Sequence, residues 1–379
     1  MPSATSLSLF VTALPGLEPV LAGELSDLGF EGVRTVPGGA EMRGSWADVW
    51  RLNLWSACAG AVLVRLARFE ARHLGELAER ARRVAWPATL LPGTRVLIDA
   101  SAAKSKLYHT GAITERVADA LAAARCTVTT DRAAAEARVL VRIVRDRVTI
   151  SLDTSGAPLF RRGYKRDVGA APLRETMAAA FLRMAGHERG SVLDPFCGSG
   201  TLVIEAATRA AGLAPGRDRS FAFEGFRSFE PEAWAAMRAA GRVRRETSAT
   251  FTGSDRDAQV IAAARTNAER AGVADFTRFA VRPASEAMTE GPPGLVIANP
   301  PYGERLGDAK ALTPLYRAFG GRMREQFEGW RVALVTSEER LARATGLDWT
   351  HKSAPIPHGP LKVHLWITDG GRARDVRPS

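Results

Sequence analysis

Short apolar runs alternate with segments of helical spacing through the second half of the chain. Apolar runs typical of a buried strand occur at 191–193, 296–298 and 332–336, and two more polar segments that we also expect to be strands lie at 251–255 and 277–281. Segments with apolar residues at helical spacing lie between them, at 202–209, 258–271 and 312–325. This alternation predicts an α/β fold built on a doubly wound, mostly parallel sheet, with an antiparallel terminal strand at 364–367.

The first 160 residues show a different order of elements. Over 1–68 the pattern is β–α–β–β–α followed by a further strand, which is ferredoxin-like. Over 69–160 we expect a helix, a strand, a second helix and a hairpin with Asp146 at its turn. The sequence therefore predicts three domains, namely a ferredoxin-like domain at 1–68, a second α+β domain at 69–160 and the α/β domain at 161–379.

The run at 191–193 ends in an acidic, glycine-rich turn. Its residues are Asp194, Pro195, Phe196, Cys197, Gly198, Ser199, Gly200 and Thr201. Gly198 and Gly200 carry no Cβ, so the backbone of this turn can approach a ligand closely. The helix that follows offers unpaired N–H groups and a positive dipole end, which suit an anionic group. Many such turns are plain strand–helix connections, and this turn alone leaves that reading open.

A second strand, at 296–298, runs into Asn299-Pro300-Pro301-Tyr302. The prolines fix φ and lack a backbone donor, so the Asn299 side-chain oxygen and the Pro300 carbonyl remain as acceptors on a rigid loop. A planar amino group that donates to both has its nitrogen lone pair turned towards an electrophile. Tyr302 offers a flat face on which a base can stack. The alternative, a structural turn, is less convincing beside the glycine-rich turn.

The balance of charges adds a class of partner. Lys and Arg number 52 against 41 Asp and Glu, which gives a formal net charge of +11. Such an excess favours a polyanionic partner, although a genome rich in G and C also enriches arginine.

Cysteine usage and hydropathy exclude other classes. The cysteines at 58, 126 and 197 have neither disulfide nor metal-ligand spacing, so we expect no metal site. No apolar run approaches membrane-spanning length, and residues 7–14 read as a strand rather than a signal peptide. These observations favour a cytoplasmic protein.

The two motifs together resemble the amino-methylating, S-adenosylmethionine (AdoMet)-dependent methyltransferases of the Rossmann-like class. The second motif continues as Gly-Glu-Arg-Leu-Gly through 307, and the pair most resembles the THUMP-domain RNA guanine-N2 methyltransferases, including those of 23S ribosomal RNA. Residues 96–110 resemble the core of THUMP, an RNA-binding module, and 151–165 resemble the family's link to the catalytic domain. The resemblance covers nearly the whole chain and implies ferredoxin-like and THUMP α+β domains before a Rossmann-like methyltransferase domain.

The resemblance also implies roles for individual residues, with AdoMet as the cofactor. Catalytic roles fall on Asn299, Pro300, Pro301 and Tyr302. Cofactor contacts fall on Asp194, Pro195, Phe196, Cys197, Gly198, Ser199, Gly200, Thr201, Asp255, Arg256, Glu175 and Thr176. RNA contacts are expected from the basic residues Lys104, Lys106, Arg116, Arg161, Arg162 and Lys165.

Three features depart from a minimal Rossmann unit. The acidic residue expected about 20 residues past the glycines is here the distant Asp255, and residues 209–249 fill the gap, as in ribosomal RNA members of the family. The third strand ends in Arg-Pro-Ala-Ser, where the family usually has an acidic residue, so Ser285 or a backbone carbonyl is expected to replace that contact. Residues 351–362 are expected to form a plain loop rather than a lip over the target pocket.

RNA guanine-N2 methylation is the favoured function, with 23S ribosomal RNA or its precursor particle ahead of tRNA as substrate. A DNA adenine or protein glutamine methyltransferase uses the same Asn-Pro-Pro-Tyr motif but leaves the first 160 residues unexplained. A non-catalytic RNA-binding assembly factor would not need an intact Asn299 or intact Gly198 and Gly200. We expect no membrane contact and no obligate protein partner.

Overall fold

The computed structural model describes residues 6–165, 173–288, 292–303 and 308–369 of the chain. The strands are β1 (Leu7–Thr12), β2 (Arg34–Val36), β3 (Gly39–Gly44), β4 (Val62–Glu70), β5 (Arg95–Ala103), β6 (Thr127–Thr129), β7 (Ala137–Val144), β8 (Arg147–Asp153), β9 (Val192–Asp194), β10 (Phe251–Asp255), β11 (Thr277–Val281), β12 (Leu295–Ala298), β13 (Arg331–Thr336), β14 (His351–Lys352), β15 (Ile356–His358) and β16 (Leu361–Ile367). The α-helices are α1 (Glu18–Asp27), α2 (Trp46–Trp55), α3 (Leu74–Arg82), α4 (Thr110–Ala123), α5 (Glu175–Met184), α6 (Thr201–Ala210), α7 (Pro231–Ala240), α8 (Ala258–Arg270), α9 (Asp308–Gln326) and α10 (Glu339–Ala344).

The chain forms two compact units. Unit 1 holds the described residues of 1–13, 21–159 and 216–241, and unit 2 holds those of 14–20, 160–215 and 242–379. No helix in the described ranges is both long enough and apolar enough to cross a membrane.

Unit 1 is built on one continuous sheet of eight strands, in the order β2-β3-β1-β4-β8-β7-β5-β6. The ferredoxin-like pattern β1-α1-β2-β3-α2-β4 forms as the sequence predicts. Strand β4 of this pattern pairs antiparallel with β8, from Leu63 opposite Asp153 to Glu70 opposite Arg147, and this pairing joins the two halves of the sheet. The predicted domains at 1–68 and 69–160 therefore share their hydrogen-bonded sheet.

The hairpin between β7 and β8 turns at Arg145 and Asp146, which have φ of 51° and 61°. Two consecutive residues with positive φ form the kind of tight turn whose twist matches that of the flanking strands. The Asp146 side chain also accepts a hydrogen bond from the backbone N–H of Lys106 at 2.7 Å. The turn thereby fixes the basic segment that precedes α4.

Residues 216–241 lie between unit 2 segments in sequence but belong to unit 1. Phe223 is fully buried and stacks on Trp50 of α2, with ring centroids 6.2 Å apart. Trp234 of α7 meets the same phenylalanine edge-on at 5.0 Å. The backbone N–H of Phe223 donates to the carbonyl of Thr154 at 3.1 Å, just past β8. The inserted segment is thus part of the unit 1 core.

Unit 2 has the predicted doubly wound sheet, in the order β11-β10-β9-β12-β13-β16-β14. The first five strands are parallel, and β16 runs antiparallel to β13, which confirms the predicted terminal strand. The strand order reverses between β9 and β12. In sheets of this kind the crevice at the carboxyl ends of the strands on either side of such a reversal receives the ligand.

Residues 351–362 are not a plain loop, so that expectation is wrong. They hold β14 and β15, and both strands pair antiparallel with β16. Ile356 and Val363 face each other across β15 and β16, and both are fully buried. Their burial anchors this hairpin to unit 2.

Candidate active site

The glycine-rich turn begins where β9 ends, at Asp194. The Asp194 side chain is 2% exposed, and its Oδ1 accepts a hydrogen bond from the backbone N–H of Phe196 at 3.0 Å. The backbone N–H of Cys197 donates to the carbonyl of Ser254 at 3.0 Å, which ties the turn to β10. These two bonds fix the first half of the turn.

Gly198 and Gly200 have different structural reasons for lacking a side chain. Gly200 precedes α6 with φ of 85°, and a Cβ there would lie 3.0 Å from the ring of Phe279 and 3.1 Å from Ala264. Gly198 has φ of 50°, but a Cβ there would meet nothing within 4 Å. Gly200 thus allows close packing, whereas Gly198 presents bare backbone to open space, as a ligand cradle requires.

Two carboxylates lie at neighbouring strand ends. Asp255 ends β10, and its Oδ2 accepts from the backbone N–H of Gly198 at 3.1 Å, while Oδ1 accepts from that of Asp257 at 3.1 Å. Burial raises the pKa of Asp194 to about 8, the negative charge of Asp255 acts in the same direction, and the Phe196 N–H opposes both. A buried carboxyl of this kind is stabilised as an anion by a ligand that brings hydrogen-bond donors or positive charge.

The neighbouring cofactor candidates differ in exposure. Burial chiefly raises the pKa of the Cys197 thiol, and the carboxylates of Asp194 and Asp255 add to the effect, which keeps the thiol protonated and unreactive. Arg256 is exposed beyond β10. A short turn after β11, at Ala284–Glu286, exposes Ser285, so its expected contact with an adenine ring remains a prediction.

Asn299 directly follows β12 at the same sheet edge. Leu193 of β9 lies opposite Val296 of β12, so the residues that follow these two strands leave the sheet side by side. The Asn299 Oδ1 is buried and has no hydrogen-bond partner among the described residues. Leaving such an acceptor unsatisfied costs about 1–3 kcal/mol, so this atom is suited to accept from a bound N–H donor.

The rest of the Asn-Pro-Pro-Tyr loop is held from two sides. The hydroxyl of Tyr316, a buried residue of α9, donates to the carbonyl of Pro301 at 3.2 Å. The hydroxyl of Tyr302 lies 2.6 Å from Nδ1 of His358 in β15. Pro300 is buried and Pro301 is exposed. Sequence reasoning missed both partners because neither lies in a recognisable motif.

The two candidates on α5 are buried at its start. Glu175 and Thr176 are each 5% exposed. Burial raises the pKa of Glu175, while the ammonium of Lys165 opposes that shift. Their contact with a cofactor remains a prediction.

The six residues predicted to bind RNA divide into two groups. Lys104 and Lys106 are exposed just before α4 in unit 1, Arg116 in α4 is half-buried, and Arg161 is exposed in unit 2.

Arg162 points inward in the structure, and its contact with RNA stays a prediction. Its side chain is 4% exposed, and it pairs with Glu205 of α6 at 3.6 Å. Tyr164 donates to the same carboxylate at 3.0 Å. Lys165 likewise turns inward, because its Nζ donates to the Leu173 carbonyl at 2.7 Å and burial lowers its pKa. This part of the basic link holds α6 in place rather than facing a phosphate.

The part of the chain that the structure describes contains no cluster of His, Cys, Asp and Glu suited to a metal ion.

Three family profiles match successive parts of the chain. They are the RlmL ferredoxin-like domain at 8–63, the THUMP domain at 71–153 and the RMKL-like methyltransferase domain at 162–365.

Similar proteins span these same regions. Ribosomal RNA large subunit methyltransferase K/L of Methylococcus capsulatus is 36% identical over 97% of this chain, but the chain spans only 52% of that protein, about half the length of the curated relatives it matches. A structure from Listeria monocytogenes, described as a predicted N6-adenine-specific DNA methylase, is 31% identical with a TM-score of 0.87, and the alignment covers 97% of both chains. The protein SMU.472, solved in complex with SAH, is 27% identical with a TM-score of 0.87, and the alignment covers 97% of this chain and 99% of SMU.472.

The RMKL-like profile covers more than half of the 379 residues, and its range contains the glycine-rich turn, both strand-end carboxylates and Asn299. On this ground the chain belongs to the RMKL-like methyltransferase family.

Proposed function

We propose that this protein transfers a methyl group from AdoMet to the exocyclic N2 amino group of a guanine in RNA. The observation that carries the proposal is the unsatisfied, buried Oδ1 of Asn299 at the strand end beside the glycine-rich turn. An amino group is a donor of the kind that this acceptor lacks. The neighbouring turn offers a place for the methyl donor.

The residues present fit AdoMet. Asp194 and Asp255 supply carboxylates for its hydroxyl and ammonium groups, and the open backbone at Gly198 allows close approach. When bound, AdoMet supplies an electrophilic methyl group. A structural relative of the same fold was solved with SAH, the demethylated form of this cofactor, which supports the assignment.

The chain's own residues align and activate the target. Asn299 Oδ1 and the Pro300 carbonyl accept the two N–H bonds of the amino group, which directs its lone pair outward and stabilises positive charge as it develops. An amide is not a strong base, so the proton leaves after the methyl group has been transferred. Turning the guanine out of its stack costs a few kcal/mol, and stacking on Tyr302 offsets about 1–3 kcal/mol of that cost.

The RNA assignment rests on unit 1. A THUMP profile matches residues 71–153, where Lys104 and Lys106 are exposed and Arg116 is half-buried. Among RNAs, we propose 23S ribosomal RNA or its precursor particle, because the curated relative that aligns with 97% of the chain is named for the large ribosomal subunit. A cytoplasmic location belongs to the same proposal.

A DNA adenine methyltransferase is the second candidate, since the Listeria structure is described in those terms. An adenine N6 amino group fits the same two acceptors. We favour RNA because a DNA substrate gives the THUMP-like half of unit 1 no role. tRNA remains the alternative within the RNA class.

The decisive experiment supplies labelled AdoMet to purified protein with separate pools of unmodified 23S ribosomal RNA, tRNA and single-stranded DNA. Mass spectrometry of the digested nucleosides identifies the product, and Asn299→Ala protein serves as the matched control. N2-methylguanosine in 23S RNA supports the proposal. The same nucleoside found only in tRNA would make tRNA the substrate instead of 23S RNA. Methyladenine, or label in no pool, overturns it.

A further inference from the structure

We propose that His358 is a positioning residue that fixes the aromatic ring of Tyr302. The inference concerns the site of the proposed function and rests on it for its catalytic meaning. Its geometric basis is the contact between the Tyr302 hydroxyl and the His358 Nδ1 at 2.6 Å. The two rings are inclined at 59° with centroids 6.5 Å apart, so the contact is a hydrogen bond at the ring edge rather than a stack.

The backbone of His358 is firmly held. His358 ends β15 and lies opposite Leu361, and two residues earlier in β15 the buried Ile356 pairs with the buried Val363. Because side chains alternate along a strand, Ile356 and His358 project from the same face. The imidazole is therefore presented from an anchored strand.

The backbone and the ring of Tyr302 are fixed by different groups. Tyr316 holds the carbonyl of Pro301, the residue before Tyr302, at 3.2 Å. That bond limits the main chain, whereas the ring of Tyr302, which also packs against the hydrophobic cluster that includes Phe319, turns about two side-chain torsions of its own. The hydroxyl at the far end of the ring is the atom through which those torsions can be fixed, and His358 engages that atom.

This bond does not require one ring tautomer. The phenol donates to an unprotonated Nδ1 and accepts from a protonated one, because a hydroxyl has both capacities. His358 is thus suited to hold the ring in either state. In the proposed reaction the base stacks on that ring, so His358 acts on the geometry of the target without touching it.

The first test follows the ring directly and does not depend on activity. The protein contains four tyrosines, so incorporation of 3-fluorotyrosine gives four fluorine NMR signals, and Tyr302→Phe identifies that of Tyr302. We expect His358→Leu to shift and broaden this signal and His358→Asn to restore it, because an asparagine amide can occupy the place of Nδ1. His351→Leu, at an exposed residue of β14 in the same sheet, is the matched control and should leave the signal unchanged.

The second test is a double-mutant cycle in methyl transfer. We expect His358→Leu and Tyr302→Phe each to lower kcat about three- to tenfold, the range for one lost hydrogen bond, with little change in KM for RNA. The double variant should lose no more than either single one, because both remove the same bond. Thermal unfolding of each variant checks that the fold is kept.

Three results overturn the inference. They are an unchanged Tyr302 signal in His358→Leu, an Asn variant no better than the Leu variant, and additive losses in the double variant. Wild-type protein inactive on every nucleic acid would instead remove the proposed function, while the fluorine signal still decides whether His358 holds the ring.

Discussion

We expect the buried carboxyl of Asp194 to make cofactor binding depend on pH. Its pKa is raised to about 8, so at pH 5 almost every unliganded molecule carries a protonated Asp194. Hydroxyl or ammonium donors of a ligand favour the ionised form, and binding must then release the proton. Linkage predicts that affinity falls tenfold for each pH unit well below 8, or about 90-fold between pH 7 and pH 5.

Calorimetric titration with S-adenosylhomocysteine measures this dependence. Repeating the titration at pH 6 in buffers of different ionisation enthalpy should reveal close to one proton released per molecule bound. The Asp194→Asn variant should bind S-adenosylhomocysteine weakly, and its affinity should not change with pH in this way. Wild-type affinity that stays constant between pH 5 and pH 7 would show that Asp194 does not receive the ligand as an anion.

The stability of the protein without ligand provides an independent check of the direction of the Asp194 pKa shift. The pKa of Asp194 lies above its unfolded value near 3.9, so the folded state binds the proton more tightly, and stability falls as pH rises from about 4 to 8. The loss reaches at most about 1.4 kcal/mol per pH unit within that window. Asp194→Asn keeps an acceptor for the Phe196 N–H but carries no charge. In urea denaturation its free energy of unfolding should therefore match that of the wild type near pH 4 and exceed it at pH 8. The same difference between the two proteins at both pH values contradicts the reasoning.

Five further substitutions test other parts of the structure. Asn299→Ala should lower kcat by about 100-fold or more while the Kd for S-adenosylhomocysteine, from calorimetry, stays within about twofold; retained turnover contradicts the assignment. Gly200→Ala should cost about 2–4 kcal/mol in urea unfolding, because its positive φ and the contact with Phe279 both oppose a Cβ. Lys104→Ala and Lys106→Ala should each reduce the slope of log K against log salt for RNA binding by about 0.7–0.9, and an unchanged slope removes that residue from the interface. Phe223→Ala should destabilise unit 1 by about 3–5 kcal/mol in the same urea assay, and a loss below 1 kcal/mol would mean that the insertion is not part of its core.

The strand ends of unit 2 could be predicted because their signals are local. An apolar run followed by Asp194 or Asn299 marks both the strand and the point where it ends, and a parallel sheet brings those points to one edge. The protonation of Asp194 could not be predicted in this way. It depends on complete burial next to Asp255, which only the folded sheet provides.

Partners distant in sequence account for what the pattern missed. Arg162 lies in a basic run that reads as a solvated surface, yet its carboxylate partner, Glu205, is on α6 beyond the glycine-rich turn. His358 lies in a stretch with prolines and lysines that reads as a loop, because pairing with β16 gives no local signal. The joining of β4 to β8 has the same cause, since an apolar strand does not specify which edge it will meet.

The segment 216–241 shows why residues that lie between two parts of unit 2 in sequence can belong to unit 1. Its Phe223 stacks on Trp50 of α2, which offers a large apolar face in unit 1. Arg219 strengthens the attachment by donating to the Pro158 carbonyl at 2.8 Å, beyond the end of β8. Burying Phe223 and Trp234 against unit 1 removes apolar surface from water that a simple loop between α6 and β10 would leave exposed. The insertion that separates Asp255 from the glycine-rich turn in sequence is therefore a structural element of unit 1, while β10 pairs beside β9 and returns Asp255 to Gly198.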